Sequence, residues 1–404
     1  MRPTYPVNII LTLIKTMKSI LCIHSTMGTT IINYIVIFLM IGSSFILSED
    51  SFDNRPLRTQ NINLQVKSFA TGFEIPWGMA FLPDTSMLVT DLSGVLFRVY
   101  QNGKKDKIKG LPDVYYRGQG GLLDVEVHPD YFENNCIYIS YSQPKGRTAF
   151  TAIAKARLIG NRLQDFNVIY SAKRKHFSKK SVHFGSRFAI WGDYLFFSIG
   201  DRGEREEAQD LNKPNGKIHR LHLDGRIPKD NPYKSEAGKT STIWCYGNRN
   251  PQGLDFTKDG ILWESEHGPR GGDELNIIEK GLNYGWPKIT YGINYIGTKI
   301  SDYTHLEGME QPVWHWTPSI AVCGIKVYEN DLIPSWYGDI LATSLKYEFL
   351  ERVIIEDGIR TGSEKIYDAG SRVRDVEICP QGFIYVALED PGRIVKIVPL
   401  KAEF

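Results

Sequence analysis

The sequence predicts an all-β chain folded as a six-bladed β-propeller. One phrase recurs six times: a β-rich apolar run, a Pro/Asp/Gly turn, then a second β-rich run ending near an acid or a glycine. Each copy reads as a hairpin, and no long stretch of helical periodicity lies between copies. Six hairpins with radial closure make a propeller. A sandwich or a barrel is the competing all-β arrangement.

The chain has 404 residues, 42% of them hydrophobic and 23% charged, enough for a large core. It opens with Arg2, Lys15 and Lys18 and no acid, followed by the apolar run Ile31–Leu47. This reads as an export signal over residues 1–48, with a retained membrane anchor as the second reading. Residues 49–404 then form the propeller, which leads to a periplasmic or secreted protein whose contact with a membrane runs only through its N-terminal segment. Without the leader, 45 basic residues face 46 acidic ones. So balanced a body has no electrostatic footprint for nucleic acid. Of five cysteines, Cys22 is in the leader. Cys136, Cys245, Cys323 and Cys379 are scattered along the body, three of them within strand patterns, and are expected to be buried free thiols.

The copies are, in order, Gly78–Asp84 with Met87–Asp91, Leu123–Asp130 with Ile137–Ser140, and Arg187–Asp193 with Tyr194–Asp201. Then come Gly253–Gly260 with Ile261–Glu264, Gly324–Tyr328 with Gly338–Thr343, and Val376–Gly382 with Phe383–Ala387. Successive copies begin at most 71 residues apart. A four-stranded blade takes about 40–50 residues, so the longer intervals carry insertions.

In a propeller the loops at one end of the channel converge, and the polar residues at the blade ends form a coherent set. Gln119 enters blade 2. His183 enters blade 3, which ends in Asp201. Arg249 and Asn250 enter blade 4, and Lys346 closes blade 5. Arg372 and Arg374 enter blade 6 and, two apart on an extended segment, can aim at one target. Three arginines, a lysine, a glutamine and an asparagine at one mouth suit a ligand with several carboxylates. A histidine beside them suits a proton acceptor. The loop Glu266–Glu274, with its acids and glycine-exposed carbonyls, and Tyr284 beyond it offer hard oxygen donors of the kind Ca²⁺ takes. Taken singly, each residue also has a structural reading: a core histidine, a solvated Arg-Xaa-Arg edge, or, for Asp201 and Asp375, a turn cap.

The ordered set HFGSRF, IGDRG, YGNRNPQGL, SEHGPRGGDELN, NYGWP, SLK and RVRDV resembles the soluble PQQ-dependent aldose sugar dehydrogenases of the glucose/sorbosone dehydrogenase family. The resemblance runs from about Phe73 to about Val398. It implies a six-bladed propeller that oxidises an aldose at C1 to the lactone, with PQQ and Ca²⁺ as cofactors and an external electron acceptor as partner. It also implies roles: His183 as general base, Asp201 orienting it, and Gln119, Arg249, Asn250, Lys346, Arg372 and Arg374 holding PQQ. Gly268 and Pro269 match the carbonyls that bind the cofactor's Ca²⁺, and Glu274 and Tyr284 a second, structural Ca²⁺ site between blades. Val182 departs from the family, some members of which carry an acid before the histidine. Two other functions remain open at this stage, a Ca²⁺-dependent propeller hydrolase such as a lactonase and a non-catalytic binding propeller. The hydrolase does not need the arginine and lysine set, and the binding propeller would tolerate the loss of His183.

Overall fold

The computed structural model describes residues 56–234 and 240–400. The leader lies outside the described residues. Among those described, no helix is long and apolar enough to cross a membrane.

The chain begins with β1 (Pro56–Arg58) and β2 (Asn63–Phe73). Blade 1 follows with β3 (Pro76–Phe81), β4 (Met87–Asp91), β5 (Val95–Val99) and β6 (Lys105–Ile108). Blade 2 holds β7 (Leu122–Val127), β8 (Cys136–Lys145), β9 (Thr148–Ile159) and β10 (Arg162–Ser171). Blade 3 holds β11 (Phe188–Trp191), β12 (Tyr194–Ile199), β13 (Lys217–His222) and β14 (Ile243–Tyr246). Blade 4 holds β15 (Pro251–Phe256), β16 (Leu262–Glu266), β17 (Asp273–Ile277) and β18 (Trp314–Trp316). Blade 5 holds β19 (Val322–Val327), β20 (Ile340–Ser344), β21 (Phe349–Glu356) and β22 (Ile359–Asp368). Blade 6 starts with β23 (Val373–Ile378), β24 (Ile384–Leu388) and β25 (Gly392–Pro399). Each blade is an antiparallel sheet with its first strand innermost, and the six expected hairpins are the first two strands of the six blades. The inner strands β3, β7, β11, β15, β19 and β23 each pack on the next, and β23 packs on β3, so the ring is closed. The protein is a six-bladed β-propeller.

Blade 6 is completed by the start of the chain. β2 pairs antiparallel with β25, Leu64 opposite Pro399 and Val66 opposite Ile397, and β1 adds an outer edge. The blades pack face to face, so strands such as β4 and β24 are buried along their whole length. Side chains such as Phe150 and Phe197 between blades 2 and 3 are fully buried, each contributing about 2–3 kcal/mol. Cys136, Cys245, Cys323 and Cys379 are free and buried, as expected.

Around the channel, every second blade is stapled to the next one by an aspartate. Asp124 accepts the Phe188 N–H at 2.8 Å, Asp255 that of Val327 at 2.8 Å, and Asp375 that of Met79 at 3.0 Å. Asp375 is thus not a turn cap but an inter-blade tie. Arg187 lies 3.0 Å from Asp124 and 3.1 Å from Asp375. Lys326 lies 3.2 Å from Asp255 and 3.3 Å from Glu377. Gly78 and Gly324 make room for this network: a Cβ would come within 2.3 Å of Asp124 Oδ1 and 2.4 Å of Asp375 Oδ1, respectively.

Candidate active site

All inner strands start at the same end of the channel, and the second strands finish there. The segments 181–187, 200–203, 249–250, 266–274, 344–346 and 372–374 therefore gather at one mouth.

His183 stands in a strained turn, with φ of 50° at His183 and 88° at Ser186, both unusual for side-chain-bearing residues. Its neighbours over-determine that turn. Gln119 Oε1 accepts the His183 N–H at 2.6 Å, Asn250 Oδ1 accepts the Gly185 N–H at 3.1 Å, and Gln252 donates to the Gly185 carbonyl at 3.1 Å. The Arg202 guanidinium binds the carbonyls of Lys180 and Val182 and lies over the Phe184 ring, 3.4 Å from its centroid.

His183 Nδ1 lies 2.6 Å from Asp201 Oδ1. The fully buried carboxylate of Asp201 also accepts the Gly203 N–H at 2.7 Å and the Trp286 indole N–H at 2.9 Å. Burial works to raise the Asp201 carboxyl, but His183 and the charge of Arg249 more than offset it and hold it below its ordinary range. Burial, aided by Arg249 and Arg202 and opposed by Asp201, lowers the His183 pKa. A neutral imidazole facing an acceptor-only carboxylate carries its proton on Nδ1, which leaves the lone pair on Nε2.

Arg249 binds the carbonyls of His267 and Gly268, the latter at 2.8 Å. One acceptor position of the Gly268 carbonyl, expected as a calcium ligand, is therefore taken by a guanidinium, and its second lone pair remains. The loop turns tightly because Gly268 sits against Gly272, whose carbonyl a Cβ would meet at 2.2 Å. Asp273 fastens the loop by accepting the N–H groups of Gly268 at 2.8 Å and Val322 at 2.9 Å. Lys346 reaches the Ser319 carbonyl at 3.3 Å and is exposed at the rim. Asn250 is buried and spent on the turn of His183.

Arg372 and Arg374 do share a target, and it is Glu389. Arg372 Nε lies 2.6 Å from Glu389 Oε2, and Arg374 Nε 2.7 Å from Oε1. Burial works to raise the Glu389 carboxyl, but Arg374 and Arg372 outweigh it and keep it below its ordinary range. Glu389 was not among the expected residues, and neither was His267. The His267 ring is held well below its ordinary pKa, mainly by burial and then by the charges of Arg249, His183, Arg374 and Arg372. Groups from blades 3, 4 and 6 thus converge around it. His267 stood within the expected acid/Gly loop, and its only signal was that position.

Glu274 lies between blades 3 and 4. In the β16–β17 ladder, Glu266 faces Glu274 and Glu264 faces Asn276, which places all four side chains on one face of the sheet. Burial first, and their neighbours' charges after it, push the three carboxyls up. Glu264 Oε1, Glu266 Oε2 and Asn276 Oδ1 are buried without a hydrogen-bond partner. Orphaned hard oxygens fit Ca²⁺. Among the described residues no three acidic, histidine or cysteine side chains converge on one point as a preformed metal centre, so main-chain carbonyls would have to complete a shell. The Tyr284 hydroxyl is not available for this. It donates to the Ile277 carbonyl at 2.7 Å and accepts the Glu279 N–H at 2.8 Å, so any contact from Tyr284 must come from its main chain. A separate cavity of about 410 Å³ between blades 2 and 3, lined by residues such as Lys173, His176 and Thr242, holds none of these groups.

The profile of the glucose/sorbosone dehydrogenase family matches residues 73–396. The chain is 40% identical over 336 residues to the aldose sugar dehydrogenase YliI of Escherichia coli (strain K12), covering 80% of this chain and 90% of that protein. The crystal structure of the soluble E. coli aldose sugar dehydrogenase in its apo-form superposes with a TM-score of 0.79 at 37% identity, covering 83% of this chain and all of that one. The PQQ-bound aldose sugar dehydrogenase of Streptomyces coelicolor superposes with a TM-score of 0.69 at 26% identity, covering 83% and 98%. With the family profile spanning most of the propeller and these relatives matched nearly end to end, the chain belongs to the glucose/sorbosone dehydrogenase family.

Proposed function

We propose that this chain is a PQQ- and Ca²⁺-dependent aldose dehydrogenase that oxidises a pyranose at C1 to the lactone. The observation that carries this is the contact of His183 with Asp201 at a mouth lined by Arg249, Arg372, Arg374 and Lys346. A proton acceptor and a polycarboxylate-binding set stand together there; a hydrolase has no use for the second, and a binding module none for the first.

His183 Nε2 takes the proton of the C1 hydroxyl, and Asp201 stabilises the imidazolium that forms. Such help is worth about 10²–10⁴-fold in rate. PQQ, when bound, supplies the two-electron sink for the C1 hydride, and Ca²⁺ the Lewis acidity that draws charge toward the quinone oxygens. Arg249, Lys346, Arg372 and Arg374 would hold the PQQ carboxylates, with Gln119 and Asn250 beside them. The carbonyls of Gly268 and Pro269 would face the cofactor's Ca²⁺. Glu274, with Glu264, Glu266, Asn276 and the Tyr284 main chain, would hold a second, structural Ca²⁺. A separate electron acceptor reoxidises the enzyme, and the N-terminal segment directs export.

The test is dye reduction by purified protein with Ca²⁺, with and without PQQ, on glucose and other aldoses, beside His183→Ala. Activity that requires PQQ and disappears in the variant is the expected result. The absence of PQQ binding and of turnover with every aldose would refute the proposal.

A further inference from the structure

Glu389 immediately follows β24. The ladder sets Val373 opposite Leu388, so the next position brings Glu389 across from Arg372, whose carbonyl accepts the Glu389 N–H at 3.0 Å. The Glu389 carboxylate divides its two oxygens between the arginines, Oε2 to Arg372 Nε and Oε1 to Nε and Nη2 of Arg374. The other side-chain partners of Arg374 are the Gln252 amide oxygen and the Cys323 sulfur, each at 3.3 Å. The Arg372 side chain remains 47% exposed. Two like charges side by side are thus offset by one resident anion, itself only 9% exposed.

We propose that Glu389 is a built-in counter-ion that holds back half of the arginine clamp, weakening its grip on a polycarboxylate cofactor and keeping that cofactor exchangeable. This rests on the reading of the mouth as the PQQ site. An incoming carboxylate meets one net positive charge at this clamp instead of two, and it must share guanidinium edges already occupied by Glu389. A neutral side chain of the same shape leaves both charges for the ligand. At separations of several ångströms in a partly screened mouth, one such charge changes affinity on the order of tenfold.

The experiment titrates protein prepared without PQQ, in the presence of Ca²⁺, with PQQ and follows the cofactor's absorbance at several salt concentrations. Wild type, Glu389→Gln and Glu389→Asp are compared. Glu389→Gln should bind about tenfold more tightly and lose affinity more steeply with salt, because one more cation faces the ligand. Glu389→Asp keeps the charge and should stay close to wild type. If Glu389→Gln does not accumulate, Glu389→Ser removes the same charge and gives the same readout. If wild type binds PQQ and the neutral variants bind equally or less tightly, the inference is overturned. It is also overturned if Asp and Gln shift affinity together, since shape rather than charge would then be at work. A wild-type chain that takes up no PQQ overturns the reading of the site, and the inference with it.

Discussion

His183 Nδ1 and Asp201 Oδ1 are 2.6 Å apart, and the other oxygen of the same carboxylate receives the Trp286 indole N–H at 2.9 Å. The carboxylate is thereby held from two sides and fixes the orientation of the ring. Asp201→Asn keeps the shape but can present an amide N–H to Nδ1, which favours the wrong tautomer. We expect kcat to fall by about 10²–10⁴-fold with little change in KM. A loss confined to KM in steady-state kinetics would show that Asp201 serves binding instead.

The pH dependence follows from buried neutral histidines. The folded pKa of His183 lies below the ordinary value, so in its proposed role as base it should stay competent at neutrality and activity should fall on the acid side. Stability has the same sign. His219, fully buried with its ring held at about 3 mainly by desolvation, stays neutral while the unfolded chain protonates below about pH 6.5. The folded state therefore loses up to about 1.4 kcal/mol per pH unit from this group as pH falls from there toward 3. Denaturant unfolding at pH 7.5 and pH 5 should show the loss, and His219→Gln should flatten the slope. An unchanged slope would place the acid sensitivity elsewhere.

Arg187 spans Asp124 of blade 2 and Asp375 of blade 6. Arg187→Met leaves two carboxylates without their cation and should destabilise the fold by about 3–5 kcal/mol. Gly78→Ala attacks the same tie by steric overlap with Asp124 and should cost about 1–3 kcal/mol. Melting temperatures of the two variants and of their double mutant would show a loss smaller than the sum if they act on one network.

Calcium should stabilise the protein without any cofactor. A cation held at Glu274 beside Glu264 and Glu266 relieves Glu264 Oε1 and Glu266 Oε2, which otherwise have no partner, and at a hundredfold excess over Kd it adds about 2.7 kcal/mol. A chelator should lower the melting temperature, and Glu274→Gln should remove most of the calcium response. A full response in that variant would exclude Glu274 as a ligand.

The inner two strands of every blade were legible because they are buried and announce themselves as apolar runs about a turn. Outer strands are less so: β6 reads Lys105-Asp106-Lys107-Ile108, a polar edge with little pattern. β2 escaped because its partner β25 lies at the other end of the chain, and no local signal reports a pairing of Leu64 with Pro399. Among the site residues, the shared aim of Arg372 and Arg374 could be read from strand spacing, whereas the pairing of His183 with Asp201 was implied only by the family resemblance. Glu389 could not, since Leu-Glu-Asp-Pro reads only as a turn. Glu264 looked like the end of a strand and Glu266 like part of the acid/Gly loop, because an acid's partners across a ladder depend on register, which the sequence does not display.

The pairing of β2 with β25 also imposes an order on biosynthesis. The blade that carries Arg372 and Arg374 cannot be sealed until the last strand of the chain has been made, so a ribosome-bound fragment lacks a finished mouth. On the proposed reading of the mouth, a polycarboxylate cofactor would be taken up only after the ring has closed. A chain threaded across a membrane from its N-terminus would keep β2 waiting throughout transit and would close only on arrival. The same geometry makes a linker between β25 and β2, with new ends opened in another blade's outer loop, the rearrangement this propeller should tolerate best.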